Sequence, residues 1–199
     1  VPRVPLLLIL ATLMAGCATT SSARRTDRVV RTVLDTATYM LGQDRPTVDN
    51  RPYRADCSGF IEAAFSKTAV RLIATSASGG SSSEHMYRTL KEAGRLRADR
   101  KLRPGDLVFF HNTWDRNRNG LRDDLFSHVG LVDRVASDGT VSFFHFVSGR
   151  VTRGTMNLRH PGEARDPETG KTWNSPIRRG GGRVFAGQLF FRGGHPLDP

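Results

Sequence analysis

One cysteine and two histidines stand where they could form a nucleophilic site. Cys57 lies in Asp56-Cys57-Ser58-Gly59-Phe60, after a polar, helix-breaking run that includes Asp49, Asn50 and Pro52. From Gly59 onward, Phe60, Ile61, Ala64 and Phe65 recur at helical spacing, which places the thiol in the first turn of a helix. Unpaired backbone N–H groups and the helix dipole favour thiolate over thiol there. A thiolate that attacks acyl groups needs an imidazole to exchange a proton with and a polar group to orient that imidazole. His128 begins one apolar run and His145 lies inside the next. Asp138-Gly139 between them is a hairpin signal, so the runs are expected as antiparallel neighbours with the two rings in reach of each other.

The remaining elements must bring these three side chains together. Thr26 or Asp27 can cap a helix running to about Leu41, with Val29, Val30, Val33, Leu34, Ala37, Met40 and Leu41 as its apolar stripe and Gly42 as its stop. A polar loop, 43–55, leads to the cysteine helix. After a Ser/Gly-rich connection, Ser81 and Glu84 have capping-box spacing and open another helix that ends at Gly94. Pro104-Gly105-Asp106 is a turn feeding the apolar strand Leu107 to Phe110, and His128 to Val135 and Val141 to Val147 read as further strands. Residues 150–183 read as an irregular basic tail with eight cations against three carboxylates, and Val184 to Phe191 as a closing strand.

At 199 residues, 38% hydrophobic and 25% charged, the chain fits one domain, taken here as residues 27–192 with a short tail, 193–199. A formal charge of +11 draws the surface to anionic partners. Zinc-finger spacing, basic-region heptads and RNP-like aromatics are all absent, so no nucleic-acid partner is expected. Residues 1–16 read as an export signal: Arg3, then the apolar Leu6 to Leu10, then small residues. Leu13-Met14-Ala15-Gly16-Cys17 resembles a lipobox, which implies a lipid-modified Cys17; the Ser, Thr and Arg composition that follows suits a flexible tether over 17–26, and Ala18 in place of Asp, by resemblance to other lipoproteins, implies an anchor on the periplasmic face of the outer membrane. With Cys17 so used, Cys57 has no disulfide partner.

Taken in order, Asp56-Cys57-Ser58-Gly59-Phe60, Arg103-Pro104-Gly105-Asp106-Leu107-Val108-Phe109-Phe110, His128-Val129-Gly130-Leu131-Val132 and Phe144-His145 resemble the NlpC/P60 family of cell-wall cysteine peptidases. The resemblance implies an α+β, papain-like fold with N-terminal helices packed on a central antiparallel sheet. It implies Cys57 as nucleophile, His128 as general base and acid, and His145 as the orienting residue, with no cofactor for catalysis. The implied substrates are peptidoglycan stem peptides, and the protein is expected to act as a monomer. Asp56 and Ser58 would help shape the recognition pocket, although helix capping explains them equally well. An amidase or transpeptidase using the same triad, and a non-catalytic envelope-binding lipoprotein, are the alternatives.

Two departures from the family pattern stand out. The Tyr-x-Trp-Gly-Gly-like segment common upstream of the cysteine is missing, leaving Tyr53 as its substitute in substrate binding. Before His128 lies a run, residues 115–124, in which Asp115, Asn117, Asn119 and Asp123 alternate around Gly120 as in a calcium loop, with Leu121 offering its carbonyl and Asp124 replacing the missing acidic residue at the loop end. A structural Ca2+ is the expectation from that spacing.

Overall fold

The computed structural model describes residues 7–74, 78–97, 101–178 and 183–197. Helix α1 (Leu7–Tyr39) carries the expected stripe: Val33, Ala37 and Met40 are fully buried, with Val29, Val30, Leu34 and Leu41 packed around them. It starts well before Thr26, so the segment expected as a flexible tether has helical backbone. No proline or glycine stands between Cys17 and Leu41 to stop a helix once the buried stripe has nucleated it. Residues 1–6 and the Cys17 side chain, on which the leader and lipidation expectations fall, lie outside what is described. Among the described residues no helix is long and apolar enough to cross a membrane.

The polar loop folds into a two-residue hairpin, β1 (Thr47–Val48) and β2 (Arg51–Pro52), turned by Asp49 and Asn50, both at positive φ. Then come α2 (Cys57–Phe65) and α3 (Ser82–Glu92), the latter capped as predicted by the Ser81 hydroxyl, which accepts from the Glu84 N–H at 3.2 Å. Six strands follow: β3 (Leu96–Arg97), β4 (Leu107–Phe110), β5 (His128–Val135), β6 (Thr140–Val147), β7 (Arg150–Asn157) and, after the single-turn helix α4 (Ala186–Leu189), β8 (Phe190–Gly194). They form one antiparallel sheet in the order β3-β8-β4-β5-β6-β7.

Strand alternation divides the interior in two. Leu107 and Phe109 of β4, with Val129, Leu131 and Phe144, meet the helices α1, α2 and α3. Val108 and Phe110, with Val132, Phe143 and Met156, turn to the opposite face. What covers that second face is the segment read as an irregular basic tail. Its first part, strand β7, extends the sheet, paired along its whole length with β6 through a Ser148-Gly149 turn; its later residues Leu158 and Ile177 pack under the sheet, joined there by Ala186 of the segment expected as the closing strand. The arginines obscured this: Arg150 and Arg153 are exposed, while Val151 and Met156 are buried on opposite faces of the strand. The closing strand also begins later than expected, since residues 186–189 coil into α4. It continues past residue 192 to pair centrally between β3 and β4.

Candidate active site

The start of α2 is fixed by its own sequence. The Asp56 carboxylate accepts from the Gly59 N–H and from the Ser58 hydroxyl, both at 2.7 Å, so the acid ahead of the cysteine is the helix cap. Arg54 reaches over this turn and donates to Ser58 Oγ, Glu62 Oε1 and Ser82 Oγ at 3.2, 2.9 and 3.0 Å, tying the loop to both α2 and α3. Gly59 is required by proximity: a Cβ there would lie 2.2 Å from the Arg54 carbonyl oxygen.

The β5–β6 ladder supplies the histidines. Leu131 pairs with Phe144, which puts His128 and His145 diagonally across the two strands. His128 Nε2 and His145 Nδ1 are 3.0 Å apart, with the residues only 7% and 3% exposed. Room for the second ring comes from Gly154 on β7, where a Cβ would sit 3.1 Å from His145 Nε2 and 2.8 Å from Phe143. Burial, reinforced by the neighbouring His128, holds His145 well below the ordinary histidine pKa, so it stays neutral at physiological pH.

Cys57 and His128 line one open cleft of about 500 Å³, whose wall also includes Asp56, Ser58, Ser83, Trp114 and Phe146. The electrostatics of Cys57 differ from the expectation of a primed thiolate. Burial is the largest influence and raises its pKa, and Asp56 raises it further; the Val129 N–H, the Ser83 hydroxyl and the Ser58 N–H pull it down by less. Desolvation outweighs the helix terminus, so the resting group is a thiol and its proton must be taken by a base.

Other expected site residues fall less centrally. Tyr53 does not line this cleft; it faces an adjoining depression with Arg45 and Pro52, its ring under the Arg51 guanidinium at 5.2 Å. In the 115–124 loop, Asp115 accepts from the Asn119 and Gly120 N–H groups at 3.1 and 2.8 Å, and Asp123 accepts from the Asn117 and Asn119 amides at 3.3 and 2.9 Å. Leu121 is exposed, and its N–H closes onto Asn119 Oδ1 at 2.8 Å. Asp124 does not join them: it is buried, 4.0 Å from Arg116, with its backbone bonded to Asn112. The loop is thus closed by its own hydrogen bonds, and among the described residues no group of three or more His, Cys, Asp and Glu is placed to hold a metal ion.

Sequence reasoning passed over Ser83 and the wall made by Thr113, Trp114 and Ser127. Thr113 N–H donates to Ser127 Oγ at 2.9 Å, and the Trp114 indole donates to the Ser127 carbonyl at 3.3 Å, leaving the ring 43% exposed at the rim. The only advance signal was the serine run ahead of α3, which reads as capping and linker chemistry when taken alone.

A capped cysteine helix against one face of an antiparallel sheet, with a histidine pair on adjacent strands, makes this an α+β domain. The NlpC/P60 family model matches residues 37–163, and the chain belongs to that family. The match runs from the last residues of α1 past the end of β7, and so contains Cys57, His128 and His145. Comparison with curated proteins and with solved structures gives no match. Membership associates the chain with hydrolase chemistry and with peptidoglycan at the level of the family.

Proposed function

We propose that this protein is a cysteine hydrolase that cleaves amide bonds in peptidoglycan stem peptides, tethered through a lipid on Cys17 once residues 1–16 are removed. The observation that carries the catalytic part is the His128–His145 contact at 3.0 Å in a protein whose Cys57 and His128 share one cleft.

The chemistry follows from the neutral state of His145. On this reading His145 Nδ1 is assigned as acceptor from the His128 Nε2–H, the tautomer that leaves His128 Nδ1 unprotonated as the base. His128 takes the Cys57 proton as sulfur attacks the scissile carbonyl, and the Cys57 backbone N–H at the helix start supports the oxyanion. His128 then returns its proton to the leaving amine, and water, activated by the same ring, releases the acyl-enzyme. Arg54 and Arg116 on the cleft wall suit a substrate with carboxylates near the cleaved bond.

Digestion of isolated peptidoglycan with mass analysis of the fragments tests this reading and identifies the bond. Cys57→Ala should abolish fragment release while sedimentation with the polymer persists. Release by that variant at the normal rate would remove Cys57 from the mechanism.

A further inference from the structure

We propose that a basic groove at the opposite end of α2 and α3 from the cleft is a docking surface for anionic phospholipid, and that it sets the domain down with the cleft on the side away from the membrane. The groove adds to the reading of Cys17 as a tether and rests on it only for the side on which the membrane lies.

Both α2 and α3 begin at the cleft, where Cys57, Ser58, Ser82 and Ser83 from their first turns line its wall. Their other ends lead to a second depression, of about 760 Å³. Arg25 and Arg28 of α1, Lys67 and Arg71 from the turn after α2, and Arg95 just past α3 line it, and among the described residues no Asp or Glu does. Part of this charge is already answered. Lys67 is shared with Asp49 at 2.9 Å, Arg95 donates to the Pro196 carbonyl at 3.3 Å, and the carboxyl ends of α2 and α3 carry partial negative charge. Arg25, Arg28 and Arg71 are exposed, and among the described residues none of the three forms a salt bridge. Like charges gathered round one depression repel each other, and a bound anion relieves that repulsion. The place of the groove selects the anion. Arg25 and Cys17 stand on the same helix, about 12 Å apart along its axis, so a lipid on Cys17 brings the phosphates of a bilayer to within about a Debye length of the groove. At that range lysines and arginines attract anionic lipids. A peptidoglycan strand being cut occupies the cleft, at the other end of α2, about 13 Å away along that helix. The lipid thus holds the chain at the membrane, and the cations decide which way the domain faces.

The experiment uses the full chain without a lipid on Cys17, so that the groove is read separately from the tether. Co-sedimentation with vesicles of phosphatidylcholine, and with vesicles that also contain phosphatidylglycerol, gives a partition coefficient for each; their ratio cancels binding by the apolar start of α1. The wild type should prefer the anionic vesicles, and high salt should abolish the preference. Arg25→Gln, Arg28→Gln and Arg71→Gln together should lower the ratio about 100-fold, about fivefold for each cation. Each single replacement makes the same comparison should the triple variant not fold. Arg118→Gln, Arg122→Gln and Arg150→Gln together remove the same charge from exposed positions outside the groove and should leave the ratio near that of the wild type. Equal losses from the two triple variants would make the attraction a matter of net charge and overturn the proposal. An unchanged ratio in the groove variant overturns it as well, and if that variant instead loses sedimentation with peptidoglycan, the groove belongs to the polymer. Groove-dependent vesicle binding by a protein whose Cys17 is recovered from cells unmodified would uphold the groove and fault the tether alone.

Discussion

On the proposed mechanism, replacing His145 should perturb catalysis and stability through separate physical routes, and both can be sized. His145→Ala removes the acceptor 3.0 Å from His128 Nε2, whereas His145→Asn keeps a carbonyl oxygen for the same proton. A hydrogen bond to a group that becomes charged is worth about 1.5–3 kcal/mol, so His145→Ala should lower peptide cleavage roughly 10- to 150-fold and His145→Asn should recover most of it. The stability route has a definite sign. The native ring is held well below the ordinary histidine value of about 6.5, while in the unfolded chain it titrates near that value. Below about pH 6.5 the unfolded state therefore binds a proton that the native state lacks, so stability falls as pH falls, and above that pH the effect vanishes. For a ring that stays neutral the loss is about 1.4 kcal/mol per pH unit, or about 2 kcal/mol by pH 5. His111 is also lowered by burial and acts in the same direction, so the quantity to measure is the difference between variant and wild type. Urea unfolding at about pH 5 and about pH 7.5 gives it. If His145→Asn keeps the full acid slope of the wild type, the neutral-His145 reasoning is wrong; if His145→Ala cleaves normally, the orienting role is wrong.

Two other substitutions probe what positions the site. Gly59→Ala puts a Cβ 2.2 Å from the Arg54 carbonyl and must push the 51–56 loop off α2; it should cost about 1–3 kcal/mol in urea unfolding and slow Cys57 labelling, and wild-type behaviour in both would refute the close approach. Asp106, fully buried, accepts from His195 Nδ1, Arg97 Nε and the Arg103 N–H at 2.6, 3.2 and 2.8 Å. Asp106→Ala strands those donors and should cost about 3–5 kcal/mol, with a loss under about 1 kcal/mol showing that the cluster does not fasten the ends of β4 and β8.

Local signals made much of this protein legible in its residues. Asp56 ahead of Cys57, Ser81 and Glu84 ahead of α3, and Asp138-Gly139 between the histidine strands are short-range patterns whose physics is complete within a few residues: two caps and a turn. The α1 stripe and the strands β4, β5 and β6 were readable for the same reason, because burial on one or both faces leaves a periodic mark.

What only the tertiary structure decided depends on partners far away in the chain. That the residues after β7 cover the lower face of the sheet follows from Leu158 and Ile177 meeting Val108 and Phe110 of β4, some fifty residues or more earlier. The lateness of β8 follows from α4 packing beneath the sheet, and no window of sequence contains both. The same holds at the site. A helix-opening cysteine reads as a thiolate until the walls contributed by β5, α3 and the 112–127 loop desolvate it. Residue types named the participants, but the balance between burial and hydrogen bonding that sets their protonation exists only after these distant segments have closed around the sulfur.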